Sequence, residues 1–294
     1  MSWRDGWVRW FTSNGRHAFA GVVSSRGPGL PSALVDDSVP VNCANKRTTQ
    51  RTLSTIAMTT SIVTRAMFAC FVAASTIAMS GLAAQSTQAD WPNLERYRKA
   101  NAELAAPTPG EQRVVFMGNS ITQAWAPRFA ALFPGKPYIG RGISGQTTPQ
   151  MLVRFRQDVI ALKPRVVVIL AGTNDIAGNT GPSTLEMIED NIASMAELAQ
   201  ANGIRVVLCS VLPVFDYPWK PGLEPAPKIL ALNKWIREYA AAHRMEYADF
   251  HGAMADARQG LPVELAADGV HPNEAGYKIM GPIVERAITA AIRR

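Results

Sequence analysis

Residues 165–175, RVVVILAGTND, decide the fold class. From Val166 to Ala171 the run is apolar and mostly β-branched, with no polar alternation. That is the signature of a strand covered on both faces. Gly172 closes the run, and Thr173, Asn174 and Asp175 follow at once. Residues 204–210 (IRVVLCS) repeat the pattern, and 113–117 (RVVFM) do so before Gly118. Shorter strand-like runs stand at 137–140 (PYIG) and 246–249.

Helical patterns fill the spaces between these strands. Residues 121–133 have helix-compatible spacing and stop at Pro134-Gly135. Over 149–162, Met151, Leu152, Phe155, Val159 and Leu162 recur at helical intervals. Residues 184–201 are opened by Ser183/Thr184 and closed by Asn202-Gly203. Two further helices are expected at 228–243 and 273–292, with a Pro-rich loop at 213–227 and an irregular stretch after 249. Alternating buried strands and helices predict an α/β class protein, a three-layer α/β/α domain with a parallel sheet of about five strands. In such sheets ligands bind beyond the carboxyl ends of the strands. The polar residues that follow each strand therefore matter most.

The chain has 294 residues, 47% of them hydrophobic and 18% charged, which excludes wholesale disorder and collagen-like repeats. Its three cysteines include no CxxC pair, so neither a disulfide framework nor a zinc site is expected, and no cofactor is called for. The net charge of +7 invites a nucleic-acid reading, but residues 1–57 hold +4 of it and 58–84 another +1. The remaining 210 residues carry only +2, so no nucleic-acid partner is expected.

The first 84 residues read as processing. MTTSIVTR from Met58 ends in Arg65, and residues 66–84 (AMFACFVAASTIAMSGLAA) hold no charge and finish on small residues. This is the build of a secretory signal peptide. We expect translation to begin at Met58, with 1–57 an upstream extension, 58–84 the signal peptide, 85–112 a lead-in helix and 113–294 the α/β domain. Cleavage would leave no stable membrane anchor and an exported protein, periplasmic or extracellular. Cys209 would be the single cysteine left, without an intramolecular disulfide.

Four post-strand loops carry candidate chemistry: Gly118-Asn119-Ser120, Gly140–Thr147 (GRGISGQT), Gly172–Asp175 (GTND) and Asp268–Pro272 (DGVHP). Each has a plainer reading alone, as a helix cap, tight turn, Asx-turn or loop ion pair. Together they supply nucleophile, base, orienting carboxylate and oxyanion donors at one sheet edge. Asp268-x-x-His271 lets a carboxylate hold Nδ1–H of the imidazole while Nε2 faces the serine. His251 is the competing base, with only Asp249 near it in sequence, and His243 reads as a helix-end cap.

The blocks VVFMGNSIT, GISGQT, ILAGTND and DGVHPNEAGY resemble those of the SGNH (GDSL-type) hydrolases, serine esterases on a flavodoxin-like fold. The resemblance covers about 113–292. Within the family the chain is similar to the branch of platelet-activating-factor acetylhydrolase subunits and secreted bacterial carbohydrate esterases. It implies Ser120 as nucleophile, His271 as general base and then acid, and Asp268 as the orienting carboxylate. The implied oxyanion hole comprises the Ser120 N–H, the Gly145 N–H and the Asn174 amide, with no metal. The family usually has Asp where this chain has Asn119. An amide makes similar hydrogen bonds, so activity is expected to survive, and no acid–base role passes to Asn119.

Candidate substrate contacts are Trp125, Arg141, Gln146, Phe215, Tyr217 and Trp219. The aromatics of VFDYPWKPGLEPAP could stack on a sugar ring or simply pack their loop. The favoured expectation is a short acyl ester, acetyl above all, on a small molecule or glycan. A lysophospholipase, a thioesterase or an acyltransferase differing only in its acceptor are the enzyme alternatives. A non-catalytic glycan-binding module is the alternative from another class.

Overall fold

The computed structural model describes residues 90–294, so the expected extension over 1–57 and the leader over 58–84 lie outside the described residues. Strand β1 (Val114–Gly118) pairs in parallel with β2 (Tyr138–Gly142) on one side and β3 (Val166–Leu170) on the other. Strands β4 (Arg205–Cys209) and β5 (Glu246–Ala248) extend the sheet, also in parallel, to give the order β2-β1-β3-β4-β5. The α/β class, the parallel sheet and its five strands are those the sequence predicts.

Side chains alternate along each strand, so the sheet feeds two cores. On one face Val115, Met117, Val167, Ile169, Val206 and Leu208 meet helices α4 (Thr148–Asp158), α6 (Leu185–Ala201) and α7 (Ala226–Ala242). On the other, Val114, Phe116, Val168, Leu170 and Val207 meet α2 (Ser120–Trp125), α3 (Phe129–Leu132) and α9 (Glu274–Arg293). All five residues of β3 are buried. Burying such side chains contributes about 1.5–3 kcal/mol each, enough to offset about 1–2 kcal/mol of backbone entropy per residue.

Some boundaries differ from expectation for local reasons. The helix expected over 121–133 is split into α2, a 3₁₀ turn at Ala126–Arg128 and α3, because Pro127 has no N–H to donate. Among the described residues the lead-in is helical only over α1 (Arg98–Glu103). Two one-turn helices stand where loops were expected: α5 (Thr173–Ile176) and α8 (Phe250–Met254). Among the described residues no helix is long and apolar enough to cross a membrane.

The chain leaves β1 for β2 on one side, then crosses to β3 on the other. The loops after β1 and β3 therefore part at a topological switch point, where such sheets form their ligand crevice.

Candidate active site

Ser120 opens α2 directly after β1. The carbonyl of Gly118 fixes the turn by accepting from Ile143 N–H at 3.1 Å. Asn119 caps the helix, its Oδ1 accepting from Ile121 N–H at 3.1 Å. Gly142, across from this turn, runs so close to Asn119 and Gln123 that a Cβ would collide with their backbones. On the far side Tyr277 of α9 donates its hydroxyl to the Ile121 carbonyl at 2.8 Å.

His271 arrives on the loop before α9. Ser120 Oγ lies 2.9 Å from His271 Nε2, and His271 Nδ1 lies 2.6 Å from Asp268 Oδ2. A carboxylate only accepts, so Nδ1 carries the proton and Nε2 accepts from the serine hydroxyl. Asp268 Oδ1 also accepts from the N–H groups of Val270 and His271, at 3.0 and 2.8 Å. The loop is thus wound around its own carboxylate and anchored by buried Val270. Partial burial pushes the Asp268 carboxyl upward. The bonds from the His271 N–H, the imidazole and the Val270 N–H outweigh it and hold the group below its ordinary value.

The glycine loop crosses in front of this pair. Gly145 takes a φ of +75°, a left-handed conformation open to glycine at little cost. Asn174, 3% exposed, donates one amide hydrogen to the Gln146 carbonyl at 2.9 Å. Its second hydrogen, the Gly145 N–H and the Ser120 N–H have no acceptor among the described residues. Asp175 joins the third loop to the second by accepting from Thr148 N–H at 2.9 Å and the Thr148 hydroxyl at 2.6 Å. Burial raises the Asp175 carboxyl above its ordinary value against the pull of those bonds.

This arrangement suits acyl transfer: an activated hydroxyl, an oriented imidazole and free N–H donors on one edge. The two other described histidines are placed elsewhere. His251 is buried in α8, its N–H on Ser210 Oγ and its Nε2 without a partner among the described residues. His243 caps α7, Nδ1 donating to the Tyr239 carbonyl at 2.9 Å.

The candidate substrate contacts divide. Trp219 is 46% exposed, with its ring centroid 6.2 Å from that of His271. Phe215 is exposed under the Arg258 guanidinium. The other four need correction. Trp125 is buried in the aromatic core between Phe116, Phe250 and Tyr277. Tyr217 is fully buried, its hydroxyl bonded to Thr173. Arg141 is buried against Tyr97 and donates to Asn101 Oδ1 at 2.8 Å. Gln146 is buried, its side-chain oxygen accepting from Arg154 and its side-chain nitrogen donating to Pro92.

Two residues near the site had no place in the sequence reading. Asn179 donates to the Gly145 carbonyl and accepts from the Trp219 indole, both at 3.3 Å. Arg154 is completely buried in α4, paired with Asp158 at 3.0 Å. A basic residue beside Met151 and Phe155 on an apolar helix face was the signal available for it.

The model of the GDSL-like lipase/acylhydrolase family matches residues 116–279. The chain is 45% identical to an acylhydrolase structure from Bacteroides fragilis, covering 70% of this chain and 100% of that one, with a TM-score of 0.68. A GDSL-like lipase from Bacteroides thetaiotaomicron is 46% identical over 69% of this chain and 100% of its own, with a TM-score of 0.66. An acetylxylan esterase of Xylanibacter ruminicola is 27% identical over 222 residues. That match takes 63% of this chain but spans only 45% of the length of that relative.

Proposed function

The chain belongs to the GDSL-like lipase/acylhydrolase family, and from that premise we propose that it is an exported serine esterase removing short acyl groups, acetyl above all, from carbohydrates. The observation that carries the esterase reading is the bonded line from Ser120 through His271 to Asp268, at 2.9 and 2.6 Å. Ser120 Oγ attacks the ester carbonyl as Nε2 takes its proton. The resulting oxyanion receives the Ser120 and Gly145 N–H groups and the free amide hydrogen of Asn174. His271 returns the proton to the departing alcohol, and water then cleaves acyl-Ser120 by the same route.

Support for a carbohydrate ester as substrate is the half-exposed indole of Trp219 beside the imidazole, a flat apolar face on which a sugar ring can stack. The acetylxylan esterase relative adds to it. Export rests on the leader pattern over 58–84. The test is turnover of p-nitrophenyl esters of increasing chain length beside acetate release from acetylated xylan. Fastest turnover at C2 with acetate release is expected, whereas a preference for C8 and longer replaces this reading with a lipid acyl hydrolase. Ser120→Ala should lower kcat by on the order of 10⁶ without loss of folding, since the Ser120 side chain bonds only His271.

A further inference from the structure

Gln146 is 1% exposed and makes polar contacts in four directions. Its carbonyl accepts from Asn174 Nδ2 at 2.9 Å, and its N–H donates to the Ile143 carbonyl at 3.3 Å. Its side-chain Oε1 accepts from Arg154 Nε at 2.6 Å, and its Nε2 donates to the Pro92 carbonyl at 2.7 Å. Arg154 continues to the Gly118 carbonyl at 3.0 Å, two residues before Ser120. Gln146 thus follows Gly145 in the chain, holds Asn174 directly and reaches the Ser120 turn through one guanidinium.

The fourth direction leads out of the sheet. Residues 91–101 lie as a strap along α4 and β2. Gln146, Gln150 and Gln157 donate to the carbonyls of Pro92, Trp91 and Leu94, at 2.7, 2.6 and 2.7 Å. Asn101 donates to Asp158 Oδ1 at 2.7 Å, and Tyr97 donates its hydroxyl to the Gly142 carbonyl. Among the three glutamines, Gln146 is the one that sits in the glycine loop.

We propose that Gln146 is the positioning residue of the oxyanion hole, clamping the Gly145 and Asn174 donors to the 91–101 strap, and that the strap is thereby part of the catalytic apparatus. The role rests on the esterase reading. Its physical basis is that this amide has one orientation. A guanidinium only donates and a peptide carbonyl only accepts, so flipping the amide would set donor against donor and acceptor against acceptor. Arg154 is out of water and the bond to Pro92 is partly so, and bonds shielded in this way stiffen their surroundings. A donor loop held from behind stays aimed at the forming oxyanion, and preorganised aim is what such donors contribute.

Gln157 provides the matched control, because it makes an equivalent strap bond but touches none of the donor loops. In the full chain, Gln146→Met should lower kcat on p-nitrophenyl acetate by about tenfold to a hundredfold, the scale of an ångström-sized misplacement, with KM nearly unchanged. Gln157→Met should lower Tm by less, because its one side-chain bond is partly buried and uncharged, and should leave kcat within about twofold. Hydrogen exchange over 143–147 should accelerate in Gln146→Met alone. If Gln146→Met does not fold, Tyr97→Phe reads the same strap from its other bond, with a smaller fall in kcat. Equal falls in both glutamine variants, or an unchanged kcat in Gln146→Met or its Tyr97→Phe substitute, overturn the positioning role. Wild-type turnover that Ser120→Ala abolishes secures the esterase reading separately, so those outcomes overturn the positioning role alone. A wild type without turnover overturns both.

Discussion

At the carboxyl edge of the sheet, helices α2 and α4 begin, and Ser120, Gly145, Asn174 and His271 stand on four loops that hydrogen-bond one another. At the amino edge, α6 and α7 end, and Arg165, Arg205, Arg244 and Arg294 line a cavity of about 370 Å³. Only Arg294 among these four has a carboxylate partner among the described residues, Glu246 at 2.8 Å. The amino edge thus has more charge and a clear cavity, while the carboxyl edge has the bonded set. Helix polarity explains the difference. Helix C-termini carry partial negative charge that cations offset, whereas N-termini leave N–H groups for a negative ligand or a forming oxyanion. A cluster of arginines at the amino edge is electrostatic complement to the fold, whereas a few neutral donors at the other edge are where we propose the chemistry takes place.

The sharpest way to break this comparison is Asp268→Asn. The amide would place N–H against His271 Nδ1 and select the tautomer whose Nε2 cannot accept from Ser120, costing about 10⁴ in kcat. The same substitution has a pH signature. The Asp268 carboxyl is held below its ordinary value in the folded chain, so its stabilisation is present above the ordinary carboxylate range. It is lost as pH falls through the depressed folded value. Thermal unfolding should therefore separate wild type from Asp268→Asn at pH 7 and bring the two together in acid. A gap that widens in acid contradicts the assignment.

Asn174→Ala comes next. It removes one proposed oxyanion donor and should lower kcat by about 10²–10³. It also strips the Gln146 carbonyl of its bond, and a buried acceptor left unpaired costs about 1–3 kcal/mol of stability. Chemical denaturation beside steady-state kinetics separates the two effects. A fall in kcat no larger than the lost stability explains would remove Asn174 from the oxyanion hole.

How far the sequence went depends on whether a property is periodic or depends on distant contacts. VVVIL in β3 is legible because every residue has the same environment. The Asp268–His271 pair is legible because a three-residue span can fold the carboxylate onto the imidazole without help from elsewhere. One-turn helices such as α5 and α8 hold too few residues to show a period. The misplaced contacts failed for a different reason. Trp125 stands four residues after Ile121 and four before Phe129, a helical stripe that marked it as core despite its place near the Ser120 loop. Arg141 stands at the carboxyl end of β2 and Gln146 in the loop after it, places where site residues are expected, but the 91–101 strap covers them, and nothing local announces a segment that returns from forty or more residues away.

The smallest expected effect is the most instructive about the two edges. Arg165→Gln and Arg205→Gln, alone or together, should leave kcat and KM for p-nitrophenyl acetate unchanged, because a full strand length separates them from Ser120. Their effect on stability should stay within about 0.5 kcal/mol each, since neither has an ion-pair partner among the described residues to lose. The sign is set by two opposed terms. Less repulsion from Arg244 favours the variants, while weaker compensation of the α6 and α7 C-termini disfavours them. Raising the salt concentration screens both. Wild type and variants should therefore converge in Tm as ionic strength rises. A difference that persists at high salt would mean that these arginines act through packing or a specific contact, and the amino edge would then need a role beyond balancing helix ends.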